Sequence, residues 1–337
     1  MGDAVRLAFL KLFNIGDALL LTPTLAAVRA AYPEAEITVV TRETNLGILG
    51  GCPFLHRLVG MRDPRAERSG AFGRDLRNVR DLRRTRFDFL FELGGRERGR
   101  HLAALCRARR AYTARTEKPL RFAHRWRFDA MAAHDGTRGH AVERDFFTVR
   151  EFLPLALPIP PLVFDRARAA EWPAAQGLES FAFLHVGARE GFKRWRAEGW
   201  REVAARLLER FPRLVISTGP AEEEVAEAEA LRAAFGERLL LTRGEASWAE
   251  LAGLLYRAAI YVGLDTSVMH LAAACGCPIV AVWGPTREEH WAPWRARHRI
   301  VTARGSDPAQ PAKRRTADVL AEDVIDACEE MLGVGGG

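Results

Sequence analysis

The sequence predicts an α/β protein built from two Rossmann-like halves, and three observations carry that prediction. Short apolar runs of strand length alternate with helical patterns in both halves, an order that produces parallel sheets covered by helices on both faces. Prolines cluster between the halves at Pro154, Pro158, Pro160 and Pro161, which marks a linker. The length of 337 residues suits two domains of ordinary size, each able to bury its own core.

In chain order, residues 5–12 read as a strand, 13–17 as a short turn, 18–31 as a helical stretch and 37–41 as a second strand, a βαβ opening. Pro23 is expected to shorten or kink the first turns of that helical stretch, and Tyr32 with Pro33 ends it. The segment 62–86 is polar, arginine-rich and weakly periodic, and predicts a surface loop. Residues 87–93 read as a strand, after which Gly94 and Gly95 suit a close turn or a backbone approach to a ligand. A helical segment at 143–155 precedes the proline cluster.

The second half repeats the alternation, with strands at 181–186, 214–218, 239–242, 260–262 and 279–283 and helices at 200–211, 222–235, 248–258 and 268–275. Near the end Leu320, Val324, Cys328, Met331 and Leu332 line one helical face, with Thr316 as a cap and Gly333 as a stop. The implied division is a first domain at 1–155, a linker at 156–178, a second domain at 179–315 and a closing helical segment at 316–333.

Composition narrows the functional classes. At 48% hydrophobic and 28% charged residues the chain reads as an ordinary soluble globular protein. A net charge of +7 favours an acidic partner: anionic lipid, phosphorylated glycan or nucleic acid. Asp3, Arg6 and Lys11 interrupt the apolar residues at the N-terminus, and no later apolar run approaches the roughly 18 residues that span a bilayer, so a cytosolic location is expected. The five cysteines (Cys52, Cys106, Cys275, Cys277 and Cys328) read as small buried thiols in a reducing compartment.

The stretch 260–294 is the most informative. A buried strand leads into Asp265 and Thr266, both good N-cap types, then a helix and another strand ending at Gly284. A helix opening at the carboxyl end of a parallel strand presents unpaired N–H groups and a positive dipole end to phosphate. Four further features could carry chemistry. Asp17 follows the first strand beside Gly16, where a tight turn would let it act as a general base, although spacing alone favours a helix cap. An exposed aspartate there, with a pKa of about 3.9, would be ionised but weakly basic. Lys193, after the loop of Gly187, Ala188 and Arg189, could neutralise a diphosphate leaving group or lie solvated on the surface. Glu222 and Glu224 open a helix whose dipole favours acids, and either could bind ribose hydroxyls. His270 sits about one turn into its helix, where it could touch phosphate or sugar or be structural. Arginines of the first half, among them Arg62, Arg65, Arg121 and Arg125, could bind an anionic acceptor, although most are expected on a solvated face.

Several of these residues form motifs. Asp265, Thr266, Ser267, His270, Gly284, Pro285 and Thr286, with Gly16, Asp17, Leu20, Thr22 and Pro23 near the start and Lys193 with Trp195 as a Lys-x-Trp, resemble the signatures of the glycosyltransferase family 9 heptosyltransferases. The resemblance covers most of the chain. Ser267 stands where glycine is usual, Ala188 and Arg189 stand where small hydroxyl residues are common, and the Trp-Ala-Pro run ending at Pro293 replaces a Gly-Pro. The resemblance implies a GT-B fold of two Rossmann-like domains facing across a cleft, with the last helix packing back toward the first domain. It also implies an inverting transfer from a nucleotide-sugar, ADP-heptose in heptosyltransferases, to an acidic glycan or lipopolysaccharide-core acceptor at the inner leaflet of the cytoplasmic membrane. Asp17 then becomes the general base, Lys193 steadies the diphosphate, and Gly187 to Arg189, one of the two glutamates, Asp265 to Ser267 and His270 form the donor site. No cofactor is implied, the nucleotide-sugar being a substrate, and no metal, since the sequence lacks a DxD motif. A sugar-nucleotide epimerase of similar fold and a non-catalytic nucleotide- or glycan-binding relative are the alternatives. A nucleic-acid-binding protein would use the charge but lacks any recognisable binding motif.

Overall fold

The computed structural model describes residues 4–62, 71–115, 122–135 and 139–333, and the chain divides into two compact units, 1–163 and 164–337. The first runs β1 (Arg6–Lys11), α1 (Ile15–Leu19), α2 (Thr22–Ala31), β2 (Glu36–Arg42), α3 (Leu46–Gly50), β3 (Arg57–Met61), α4 (Ala71–Arg84), β4 (Arg86–Glu92), α5 (Glu97–Leu105), β5 (Arg107–Thr113), α6 (Phe122–Arg125), β6 (Ala130–Met131) and α7 (Ala141–Arg150). Its sheet has the order β3-β2-β1-β4-β5-β6 and every pairing is parallel. The second runs β7 (Phe181–His185), α8 (Ala197–Arg210), β8 (Arg213–Ser217), α9 (Glu222–Phe235), β9 (Leu239–Leu241), α10 (Trp248–Leu255), β10 (Ile260–Leu264), α11 (Ser267–Ala274), β11 (Ile279–Val282), α12 (Glu288–Trp291), β12 (His298–Val301) and α13 (Ala321–Met331). Its parallel sheet, β12-β11-β10-β7-β8-β9, repeats the order of the first.

In both sheets the first and fourth strands of the unit lie side by side, and the chain winds outward from them in opposite directions. Ligands of open parallel sheets bind outside the carboxyl ends of strands at such a reversal. The reversals fall between β1 and β4 and between β7 and β10. All five residues of β7 and of β10 are buried, as strands covered on both faces must be, which is why they read as continuous apolar runs.

Two local readings are corrected. The helical stretch 18–31 is two helices, because Pro23 occupies the first turn of α2, where its missing N–H is harmless, and the Thr22 hydroxyl donates to Leu19 O at 2.8 Å, finishing α1. The arginine-rich segment, read as a loop, contains α4. One narrow stripe holds it: Leu82 is buried and Val79 packs on the same core, while Asn78 donates to Gly60 O at 2.8 Å. The helix is amphipathic but poor in apolar residues, so its composition reads as that of a loop although its few apolar side chains share one face.

Helix α13 covers part of the second sheet. Its buried residues Val324, Ala327, Cys328 and Met331 join Trp200, Val280 and Val282 in the core of the second unit. All five cysteines are buried and none is in a disulfide, and no helix among the described residues is long and apolar enough to cross a membrane.

Candidate active site

Each unit gathers charge at its own strand reversal. In the first, Asp17 lies in the first turn of α1 and is 6% exposed. It is not the cap: Asn14 holds that position. Gly16 is an ordinary helical residue of α1, so the tight turn expected there does not form. Lys11, the last residue of β1, is fully buried and ion-paired with Asp145 of α7. Arg144 reaches both carboxylates, 3.9 Å from Asp17 and 3.5 Å from Asp145, while the Arg96 guanidinium lies 4.6 Å from the centre of the Phe13 ring.

Burial is the largest influence on Asp17 and raises its pKa above the usual carboxylate value, against the pull of Lys11, Arg144 and Arg96. A raised pKa makes a carboxylate a stronger base than the exposed aspartate first considered. Burial likewise lowers the pKa of Lys11, opposed by Asp145.

Beside this cluster, Glu92 ends β4 and accepts from the N–H groups of Gly94 and Gly95, at 2.9 and 3.0 Å, and from Thr113 Oγ1 at 2.8 Å. A Cβ on Gly94 would meet the carboxylate at 2.8 Å. The glycine pair therefore serves a close backbone approach, as its composition suggests, but to Glu92 itself. Burial pushes this carboxyl up to about 7.

In the second unit, Lys193 Nζ donates to Asp265 O at 3.0 Å and to Asp265 Oδ2 at 2.8 Å. Asp265 is buried and Lys193 is 19% exposed. Two of the three ammonium hydrogens are used on Asp265, leaving a third for another acceptor. Thr266 is the N-cap of α11 but its side chain makes no capping bond, so the first amides of α11 are not consumed by the cap. Ser267 opens the helix, and His270 is buried one turn further on.

The loop carrying Lys193 is fastened at both ends. Trp195 Nε1 donates to Val319 O at 3.0 Å, and Thr316 Oγ1 donates to Phe192 O at 3.2 Å. Gly284 makes room for that hydroxyl, since a Cβ there would lie 2.1 Å from Thr316 Oγ1.

The two glutamates separate cleanly. Glu222 is exposed, whereas Glu224 is buried and accepts from Gly219 N at 2.8 Å. A Cβ on Gly187 would fall 2.0 Å from its Oε2, so Gly187 is small because this carboxylate packs on it. Ala188 is buried, and its carbonyl accepts from Arg194 Nε at 3.1 Å. Arg189 is exposed and paired with Glu190 at 2.7 Å. Of the arginines proposed for an acceptor, Arg62 and Arg125 are exposed, while Arg65 and Arg121 lie outside the described residues.

With this geometry in hand, comparison with known proteins is decisive. The family description glycosyltransferase family 9 (heptosyltransferase) matches residues 76–320. The chain belongs to this family. It is 24% identical to lipopolysaccharide heptosyltransferase 3 of Escherichia coli (strain K12) over 337 residues, 94% of this chain and 95% of that one. Among solved structures, a family 9 glycosyltransferase from Veillonella parvula superposes with a TM-score of 0.83 at 20% identity, covering 98% of both chains. The E. coli heptosyltransferase WaaC with ADP superposes with a TM-score of 0.81 at 19% identity, covering 97% of this chain and 100% of that one. The two parallel six-stranded sheets are thus those of a GT-B glycosyltransferase.

In this heptosyltransferase relative the sequence reading missed Lys11, Arg144, Asp145 and Glu92. Two of them left a signal. Lys11 is a charge directly after the apolar run 7–10 and before Leu12, and Asp145 stands on the helical face of Val142, Phe146 and Val149, a charge where an apolar residue belongs.

Two consequences can be measured. Asp145→Asn leaves a buried ammonium without its counter-charge and is expected to cost about 3–5 kcal/mol in denaturant unfolding; the double variant Lys11→Met, Asp145→Leu is expected to recover most of it. His185 is buried at the end of β7, and burial brings its imidazole from 6.5 down to about 4. Below pH 6.5 the unfolded chain binds a proton on this ring that the folded chain refuses, so stability falls as pH drops from about 6.5 to about 4, by at most about 3 kcal/mol. Unfolding of His185→Gln between pH 7 and pH 4.5 is expected to lose that part of the acid slope.

Proposed function

We propose that this glycosyltransferase moves heptose from ADP-heptose to an anionic glycan of the lipopolysaccharide core, with inversion at the anomeric carbon and without a metal on the diphosphate. The observation that carries the proposal is the Lys193 ammonium held on Asp265 beside the uncapped N-terminus of α11. A fixed cation and free amides at one strand reversal are what a departing diphosphate needs, because its charge grows as the glycosidic bond breaks. The absence of a DxD motif from the sequence agrees with a lysine in that role. An adenine nucleotide is favoured by the ADP in the WaaC structure, and heptose and lipopolysaccharide by the name of the curated relative.

In the proposed reaction the acceptor hydroxyl oxygen attacks the anomeric carbon, its proton passes to the Asp17 carboxylate, and the bond from the anomeric carbon to the β-phosphate oxygen breaks to release ADP. The raised pKa of Asp17 suits it to take that proton at neutral pH. Glu224, rather than the exposed Glu222, is the acid assigned to the ribose, because it is the one turned inward against Gly187 and Gly219. Amides of Gly187 to Arg189 and of Thr266 and Ser267 face the phosphates, and His270 supports the same helix. The net charge of +7 favours an acidic acceptor, with Arg62 and Arg125 as its contacts, and a glycolipid of this kind is met at the cytoplasmic face of the inner membrane.

Asp17→Asn is expected to lower turnover roughly 100- to 10,000-fold while leaving ADP affinity within about twofold; unchanged turnover removes Asp17 from the mechanism. Lys193→Ala is expected to lower kcat roughly 100- to 1,000-fold and to weaken ADP in a thermal-shift titration, and wild-type ADP affinity in that variant counts against the diphosphate assignment. Both are read as acceptor-dependent ADP release. A new sugar-nucleotide isomer formed from donor alone would give the epimerase reading instead.

A further inference from the structure

Outside the donor and base clusters, α5 and α6 bring together three side chains of metal-ligating type. Glu97 and His101 stand four residues apart on α5 and so share one face of the helix. α6 adds His124, which is buried. Glu97 Oε2 lies 3.9 Å from His124 Nδ1, and the two imidazoles meet edge to face with centroids 4.7 Å apart. One ligand atom from each of the three falls within 4.8 Å of the others.

Four neighbouring guanidinium groups have partners of their own. Arg96 lies on the Phe13 ring, Arg98 donates to Arg62 O, Arg100 faces Glu92 at 4.0 Å, and Arg127 donates to Ala103 O at 2.8 Å. The cluster itself offers two imidazoles and a carboxylate as ligands.

We propose that Glu97, His101 and His124 form a binding site for a divalent transition-metal ion, Zn²⁺ by preference. With bonds of about 2.0–2.1 Å, the ligand atoms of a tetrahedral zinc ion stand about 3.3 Å apart, so a closure of up to about 1.5 Å by side-chain rotation completes the set. Two nitrogen donors with one oxygen select against Mg²⁺ and Ca²⁺, which require oxygen ligands. His101 is exposed and the Glu97 side chain is 45% exposed, which gives the ion an entry path and leaves a fourth position for water. The chemistry is structural: the ion ties the four-residue α6, too short to hold itself by its own hydrogen bonds, to α5. Arg127 extends the same connection by donating from just beyond α6 to the last turn of α5. The ion takes no part in the transfer reaction.

The test uses the full chain without a histidine tag, stripped with chelator and titrated with Zn²⁺ by calorimetry and with Co²⁺ by visible absorption. One ion per chain is expected, with tetrahedral Co²⁺ bands and no thiolate-to-cobalt charge-transfer band, since the five cysteines are buried. Zn²⁺ is also expected to raise Tm with concentration. His101→Ala, a change at an exposed helical position, is expected to keep the fold by circular dichroism and to weaken Zn²⁺ at least 10-fold; His124→Ala and Glu97→Gln are expected to weaken it as well. Equal Zn²⁺ affinity in wild type and His101→Ala, or no saturable binding by wild type, overturns the site. Neither outcome bears on Asp17 or Lys193.

Discussion

Charge placed at the carboxyl ends of a fully covered parallel sheet has to be balanced there, and most of the chemistry of this glycosyltransferase follows from that constraint. Strand interiors of β1 and β7 are closed to water, so their ends are where polar groups can first appear. Lys11 pairs with Asp145, whose cluster also holds Arg144 and Asp17, and Lys193 pairs with Asp265. The first pair is almost wholly buried, with both side chains 1% exposed; the second keeps Lys193 partly open. A buried pair fixes geometry because breaking it is costly. A partly open one keeps a donor for a ligand.

Positioning in the second unit depends on space as much as on charge. Trp195 stacks edge-on against Trp200, with centroids 5.0 Å apart, and Gly199 must stay small because a Cβ would meet the Trp195 ring at 2.5 Å. Together with the bond to Val319 this fixes the residue two places beyond Lys193. Thr316 fixes the residue before it. The Lys-x-Trp motif thus joins a chemical group to its own anchor, which gives a physical reason for the two to occur at that spacing.

The alternation of strands and helices was legible because buried parallel strands are apolar throughout and their helices are strongly one-sided. β7, β8 and β10 were found for this reason. β3, β5, β6 and β12 were not: β5 carries arginines at its exposed positions, and β6 is two residues long. Helix α4 was hidden by its own arginines, which leave it few apolar residues. In the candidate site, Asp17, Lys193 and Asp265 could be found as charges in the segments that follow β1, β7 and β10, beside glycine or helix-capping residues or within family motifs. Glu224 could not be told from Glu222, because which face of a helix turns inward depends on what packs against it.

The sequence by itself determined two α/β halves, their family signatures, and the residues at the ends of β1, β7 and β10, since periodicity and residue type are local properties. Only the tertiary structure decided which charges meet. Asp145 is 134 residues from Lys11 and Asp265 is 72 residues from Lys193, and no local pattern records a distance of that kind. Those contacts exist because the chain reverses its winding between the first and fourth strands of each sheet, bringing together strand ends and helices that are remote in sequence.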